Sequence, residues 1–486
     1  MSALRYASVL VLSGVIFGMD PSARAMDLDW HGQFRVETNW LWGYSNGQLK
    51  PNNTNDAGYS VFYNGSSPAS FQNLFFALSP RVIVNDNVSL HSNLWLGTPD
   101  RGVFGGDGLT NSTIFSANRA GNAAVLANTF YGELATDFGT VTFGRAPLHW
   151  GLGVVWNYDQ DGFYRLPSTG DTLKLVTKLG AFKFMPSVVK YNIGSNYGGS
   201  TSGNGTLEGT SGVVDYSVGL SYTNDDEQMD IGLLFLRRLA GPNADIVDPL
   251  NTGTGKGGFA YNIWDFYAKK KAGMLTLAAE VPLVTGFVAG KDYSSVAAAA
   301  KIQADLSESW KLKFNGGLAD GQASSSTPAN KYTAFYFHPD YRPGLIMFNY
   351  NLSNFSAAPG TGGSPYQNPI TNARFLSLSV SHEVGKWSHE LLGLFAVADK
   401  VADGVSALYF NSRTGHYQNQ NTSPAQEKGL GFEMDYTLGY EWDEATRFGL
   451  SMGLFSPGKF FEFSNSATPN ALKSVFASSL HVRVDF

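Results

Sequence analysis

The chain has 486 residues, with 34 Lys and Arg against 40 Asp and Glu, a formal charge of −6 and no cysteine. An acidic balance argues against a nucleic-acid binder, which needs basic surface, and the lack of cysteine excludes a disulfide framework. Only 15% of residues are charged while Gly numbers 55, Phe 34, Tyr 23 and Trp 10, a composition of short strands, turns and aromatic belts rather than of a helical enzyme.

The first 25 residues read as a secretory signal peptide. Arg5 gives a positive start, Ala7 to Phe17 form a short apolar run, and Ala23-Arg24-Ala25 makes a small-residue cleavage site. The mature chain is then residues 26–486. It contains no uninterrupted apolar stretch of 18 residues, so any membrane crossing has to be made by strands.

Two-residue periodicity follows almost at once. Phe34, Val36, Thr38, Trp40 and Trp42 share one face of the first alternating segment, and the pattern returns from Val214, Ser295, Lys311 and Phe375. Further on, Phe432, Met434, Tyr436, Leu438, Tyr440 and Trp442 alternate with Glu433, Asp435, Thr437, Gly439 and Glu441. The last nine residues put Leu480, Val482, Val484 and Phe486 on one side and Ser479, His481, Arg483 and Asp485 on the other. Strict alternation marks a sheet whose two faces meet unlike surroundings. Trp40, Trp42, Tyr440 and Trp442, near strand ends, suit an interfacial aromatic girdle.

The connectors come in two kinds that take turns. Tight links are expected at Asn85-Asp86-Asn87, Asp137-Phe138-Gly139, Leu179-Gly180-Ala181, Asp225-Asp226-Glu227, Lys271-Ala272-Gly273, Ser307-Glu308-Ser309, Gly385-Lys386-Trp387 and Asp443-Glu444-Ala445. Between them run long stretches rich in Gly, Ser, Asn and Pro, as from Asn192 to Gly209 and from Ser353 to Asn372. Eight turns and nine long loops predict an all-β fold, a transmembrane antiparallel up-and-down β-barrel of about 18 strands with short periplasmic turns and long extracellular loops. The interval from Ala319 to Asn372 leaves room for one more hairpin around Lys331 to Tyr350. A sandwich array would show a linker and more polar outer faces, and a solenoid a fixed repeat; neither is seen.

Backbone groups cannot stay unpaired in lipid, so the last strand is expected to close on the first. The terminal Phe486 resembles the signature that outer-membrane barrels present to their assembly machinery. That machinery and the lipid bilayer are the expected partners, with the outer membrane of a Gram-negative type bacterium as the location.

On the inward parity lie Arg35, Glu37, Lys174, Lys178, Asp215, Asp265, Lys269, Glu280, Lys301, Asp305, Lys311, Lys313, Glu433, Asp435 and Arg483. Together they imply a wet lumen; singly, each also suits an ion pair across the wall. The segment from Phe143 to Arg165 concentrates Arg145, His149, Asp159, Asp161 and Arg165, and the segment from Phe337 to Gly344 adds Asp340 and Arg342. Folded inward they form a constriction whose charges act as a filter; folded outward they are surface loops. Catalytic signatures are missing: no G-x-S-x-G elbow, H-E-x-x-H pair or Walker loop occurs. The Ser-His-Glu runs at Ser381 and Ser388 flank a turn, where polar residues serve solvation, and the histidines lack metal-ligand spacing. Neither enzymatic activity nor a cofactor is implied.

The segment from Leu430 to Glu462 resembles the C-terminal part of the alginate-export family of outer-membrane porins. Glu433 and Asp435 on one strand carry the likeness, followed after a short turn by Gly453, Phe455, Pro457 and Gly458 leading into the last outer loop. The resemblance implies an 18-stranded barrel that passes anionic polysaccharide or small solutes. The reading is a porin-like channel for passive passage of hydrophilic solutes, anionic sugars or polysaccharide among the candidates. An outer-membrane hydrolase of lipase or esterase type and a structural or adhesive barrel with a plugged lumen are the alternatives.

Overall fold

A computed structural model of the chain describes residues 27–43, 69–97, 99, 125–158, 163–191, 213–240, 246–247, 256–327, 329–350, 366, 368–412, 415–420, 425–463, 469 and 472–486. The expected signal peptide and the Asn192 to Gly209 loop lie outside the described residues. The barrel strands are β1 (Asp27–Trp42), β2 (Ala69–Asn85), β3 (Val88–Leu96), β4 (Val125–Thr136), β5 (Gly139–Pro147), β6 (Thr169–Leu179), β7 (Phe182–Tyr191), β8 (Val213–Asn224) and β9 (Met229–Ala240). They continue as β10 (Phe259–Ala272), β11 (Leu275–Val288), β12 (Lys291–Asp305), β13 (Trp310–Ala319), β14 (Ala373–Val384), β15 (Trp387–Ala398), β16 (Gly429–Glu441), β17 (Thr446–Pro457) and β18 (Val475–Asp485). Each pairs antiparallel with the next in sequence, and the 18-stranded sheet closes through β1 and β18, from Gln33 opposite Asp485 to Trp42 opposite Phe476.

Closure is completed by the final residue. Gly32 N donates to Phe486 O at 2.6 Å and Phe486 N donates back to Gly32 O at 3.0 Å. The Phe486 ring covers Gly32, where a Cβ would collide with it, and lies 5.9 Å from Phe76. Phe486 is thus part of the seam.

The two faces of the wall follow the alternation. On β14, Leu376, Leu378 and Val380 are 45, 50 and 36% exposed on the outer surface, while Phe375, Ser377 and Ser379 are buried inside. Tight connections fall at each of the eight expected places, and Gly180, Gly273 and Gly385 supply the left-handed φ that three of them need. At the other end the expectation of nine long loops needs one correction. Strands β11 and β12 are joined by Ala289-Gly290 alone, both with positive φ, which is the mirror-image turn suited to a hairpin.

The expected extra hairpin is the second correction. Of the segment from Lys331 to Tyr350, only Lys331–Tyr332 joins the sheet, parallel to Asp292 and Tyr293 of β12; the rest turns into the barrel. There it meets the segment after β5. Val154 and Trp156 pack with Phe335, Phe337, Tyr341, Ile346, Met347 and Phe348 against wall residues such as Leu234, Ile263, Val284 and Phe455. The main apolar core therefore lies inside the barrel, at the level of these two segments.

Candidate functional site: an inward roof and a turn-side vestibule

Two segments without ladder hydrogen bonds are held in the lumen by carboxylates. In the first, from Leu148 to Tyr158, Leu152 N and Val154 N both donate to Glu280 of β11, the latter at 3.1 Å. Its Trp150 ring rests on Gly232 of β9, where a Cβ would stand 2.8 Å from the ring. In the second, Ile346 N and Met347 N each donate to Glu433 at 2.6 Å, and Leu345 N donates to Asp435 at 2.9 Å. The segments are also tied to each other: His338 N donates to Val154 O at 2.8 Å. Asp340 accepts from Arg165 N at 3.0 Å and from Leu166 N at 2.7 Å. A carboxyl group that accepts two backbone N–H groups clamps its segment in place, and it solves the problem of burying irregular backbone.

A buried charge cluster locks the arrangement to the seam. Arg165 donates from Nη1 and Nη2 to the two oxygens of Glu37 at 2.8 and 2.5 Å, and from Nη1 to Pro99 O at 2.9 Å. Arg35 places Nε 2.7 Å from the same carboxylate. Tyr366 lies beneath the Arg165 guanidinium at 4.1 Å, and the rings of Phe75 and Phe163 flank Arg35 at 5.1 and 5.4 Å. Two arginines share one carboxylate, and the surplus positive charge is dispersed over aromatic faces. His338 is buried beside this roof. Burial holds its imidazole down to about 4, so it is neutral at pH 7 and its Nδ1 accepts from Asp340 N at 3.1 Å.

Below the roof, toward the tight turns, opens a cavity of about 440 Å³. Arg165, Arg342 and Tyr350 border it from above; Arg447, His481 and Arg483 line its wall. Four arginines stand against Glu37 and Glu441 in its lining. Arg342 is steered by a bond from Nη2 to Phe163 O at 2.8 Å, Arg447 by Glu441 at 3.4 Å and Arg483 by Asp485 at 2.8 Å. The vestibule is thus polar, with a positive bias and aromatic patches.

The residues expected at a constriction are distributed unevenly. Arg165, Asp340 and Arg342 come together in the roof. His149 lies on the first inward segment, its Nδ1 accepting from Tyr158 N at 3.2 Å. Asp159 and Asp161 lie outside the described residues. Arg145 is corrected: it is two residues beyond outward-facing Phe143, pairs across the sheet with outward Phe130, and forms an ion pair with Asp171 at 3.2 Å on the outer surface. A two-residue period cannot place Phe143 in lipid and Arg145 in the lumen.

Among the expected wall charges, Lys174 and Lys178 lie on the inward parity of β6 and Lys269 on that of β10. Lys301 sits 5.1 Å from the Tyr341 ring centre. Lys311 and Lys313 bind Glu383 and Glu390 at 2.9 and 2.8 Å. Glu433 and Asp435 do point inward, but as clamps for the roof rather than as open wall charge, and Arg35 is enclosed in the cluster with Glu37. Glu37 and Glu280 are on the expected inward face, but the sequence assigns neither a role beyond lumen charge, and Arg447 and Tyr366 are not among the expected residues. In each Ser-His-Glu run the serine and histidine point to opposite faces: Ser381 is buried and donates to Glu390 at 2.8 Å, whereas His382 stacks on Trp310 at 4.2 Å. Among the described residues no group of three or more acidic or histidine side chains could hold a metal ion.

No family model matches the chain, and no curated protein matches it in sequence. Its fold has solved counterparts. OccK9 (OpdG) of Pseudomonas aeruginosa superposes with a TM-score of 0.51 at 13% identity, over 96% of this chain and 100% of that one. OccK2 (OpdF) of the same organism gives 0.50 at 10% identity, over 95 and 98%. These neighbours are outer-membrane porins, and at such identities the likeness is one of architecture. The chain has the closed antiparallel barrel fold of the outer-membrane porins.

Proposed function

We propose that the protein sits in an outer membrane, loops outward and turns in the periplasm, and works as a passive channel for small hydrophilic solutes with a preference for anions. The observation that carries this reading is the polar vestibule of about 440 Å³, in which Arg342, Arg447 and Arg483 are each presented by a fixed partner. A low-dielectric wall focuses their field on the solute path. Single anionic sugars suit a cavity of this size; the polysaccharide suggested by the C-terminal resemblance would need the roof to move aside. Phe486, built into the seam, is proposed as the handle for barrel assembly, and residues 1–25 as the export signal.

The apolar packing at roof level supports a second reading, a structural barrel whose lumen is plugged. Recording from refolded protein in planar bilayers separates the two. Discrete conductance steps with an anion-selective reversal potential are expected, and R342Q/R447Q/R483Q is expected to move that potential toward cations. A silent barrel favours the plugged reading; steps with a reversal potential unmoved by the triple variant remove the arginines from the solute path.

A further inference from the structure

The outer surface of the barrel is not uniform at the loop end. Around the seam, its outward residues are aromatic: Trp42 packs on Phe476 at 5.2 Å, and Phe395 and Phe432 are 53 and 49% exposed. On β5, β6, β7 and β9 the corresponding residues include charged ones, with Val214 and Tyr216 on β8 between them. Arg145 pairs with Asp171 at 3.2 Å, both more than a third exposed, and Asp171 stands opposite Lys190 in the ladder between β6 and β7. Lys190 and Arg237 are exposed, each next to a fully buried inward neighbour, Val189 and Leu236. Arg145, Lys190 and Arg237 against Asp171 leave this face cationic.

Directly toward the turns from Arg145, Asp171 and Lys190 the outward columns become apolar. Phe143, Leu173 and Val188 are 44, 59 and 41% exposed there, and Tyr216, opposite Arg237, is 49% exposed, which is the surface that acyl chains would cover. The cations therefore stand at the boundary between a hydrocarbon belt and the loops. We propose that the face of β5 to β9 binds the phosphate groups of a phosphorylated, acylated glycolipid of the outer leaflet, its acyl chains lying on the apolar columns below. Guanidinium and ammonium groups are the natural partners of phosphate, and the ladder sets Lys190 beside the Arg145–Asp171 pair. Charges placed this near the hydrocarbon edge are little screened compared with those on open loops. The inference rests on the outer-membrane placement proposed above.

The test uses the full mature chain refolded in a nonionic detergent, with hexa-acyl bisphosphoryl lipid A or its fully dephosphorylated form as the probe and native mass spectrometry counting bound lipid. The bisphosphoryl form is expected to bind about tenfold more tightly, as a few phosphate contacts near the headgroup plane would give. R145Q/K190Q/R237Q is expected to erase that difference. K190Q/R237Q, which leaves the Arg145–Asp171 pair in place, is expected to reduce it about threefold and guards against a folding failure of the triple variant. Equal binding of the two lipids to the unaltered protein overturns the proposal, as does equal competition by inorganic phosphate or a self-associated oligomer that buries this face in the presence of lipid. Conductance in a phosphate-free bilayer is measured alongside. A conducting barrel with no preference for phosphorylated lipid defeats only this inference, and a silent barrel that keeps the preference defeats only the channel reading.

Discussion

The wall of the barrel and the segments folded inside it solve the same problem, the burial of backbone, by different chemistry. On the wall every strand finds a neighbouring strand, so side chains are free to report their surroundings: Leu376, Leu378 and Val380 outward, Ser377 and Ser379 inward. Inside, the segments around Leu152 and Ile346 have no ladder partner, and their N–H groups are taken up by Glu280, Glu433 and Asp435. Inward charge in this barrel is therefore of two sorts. Some carboxylates are anchors for enclosed backbone, while residues such as Lys311 and Glu383 pair from strand to strand near the turns. Counting inward charges says that the lumen is polar; it does not say which charges a solute would meet.

The sharpest way to break this distinction is at Glu37, which joins a wall strand to the roof. Glu37→Gln leaves Arg35 and Arg165 buried and short of their counter-ion, so unfolding free energy should fall by about 3–5 kcal/mol. Urea unfolding of refolded protein measures it, and the conductance of the variant should be larger and noisier if the roof has loosened. A loss below about 1 kcal/mol would mean that water already reaches the pair and the roof is not a rigid body.

The strands were legible in the sequence, whereas the roof stayed open between an inward and an outward fold of the two segments. The strands, the eight turns and the closing seam were legible because each obeys a local rule: alternation, turn residues, and an apolar face that runs to Phe486. The roof obeys none. Segments rich in aromatic residues, such as the one from Phe335 to Tyr350, look like strand candidates, and only the positions of distant carboxylates on other strands show that they fold inward. Arg145 was legible in principle, since Phe143 fixes its parity, yet a cluster of charges nearby in sequence outweighed that evidence. Glu433 and Asp435 were placed on the correct face, but their use as clamps depends on residues 86 to 90 positions away, beyond any local pattern.

A packing change sharpens the comparison without altering charge. Gly232 is a wall residue whose missing side chain makes room for the Trp150 ring 2.8 Å from its would-be Cβ. Gly232→Ala should cost about 1–3 kcal/mol through overpacking. Tryptophan fluorescence should report the displacement, and pairing it with Trp150→Phe should recover part of the loss. A variant as stable as the parent would show that the first inward segment is loosely seated.

Acid offers a reversible probe of the roof. His338, surrounded by Asp340, His149 and Arg342, has its imidazole held down to about 4 from an ordinary 6.5. The unfolded chain takes up that proton first, so the contribution is complete above about pH 6.5 and declines as pH falls toward 4. At pH 5.5 the decline should be about 1 kcal/mol. His338→Gln should flatten the slope between pH 7 and 5, and an unchanged slope would assign the acid sensitivity to another group.

The smallest effect is expected where wall charges pair only with each other. Lys311 Nζ lies 2.9 Å from Glu383 on the adjacent strand, with both side chains substantially exposed, 32 and 54%. Solvent screens such a pair and its long side chains lose freedom to form it, so Lys311→Ala should change stability by no more than about 0.5 kcal/mol. It should also leave channel noise and selectivity as they were, because Lys311 touches neither the roof nor the vestibule lining. If this substitution altered gating as Glu37→Gln is expected to, inward charge would act as one connected network, and the division between anchors and wall pairs would have no physical basis.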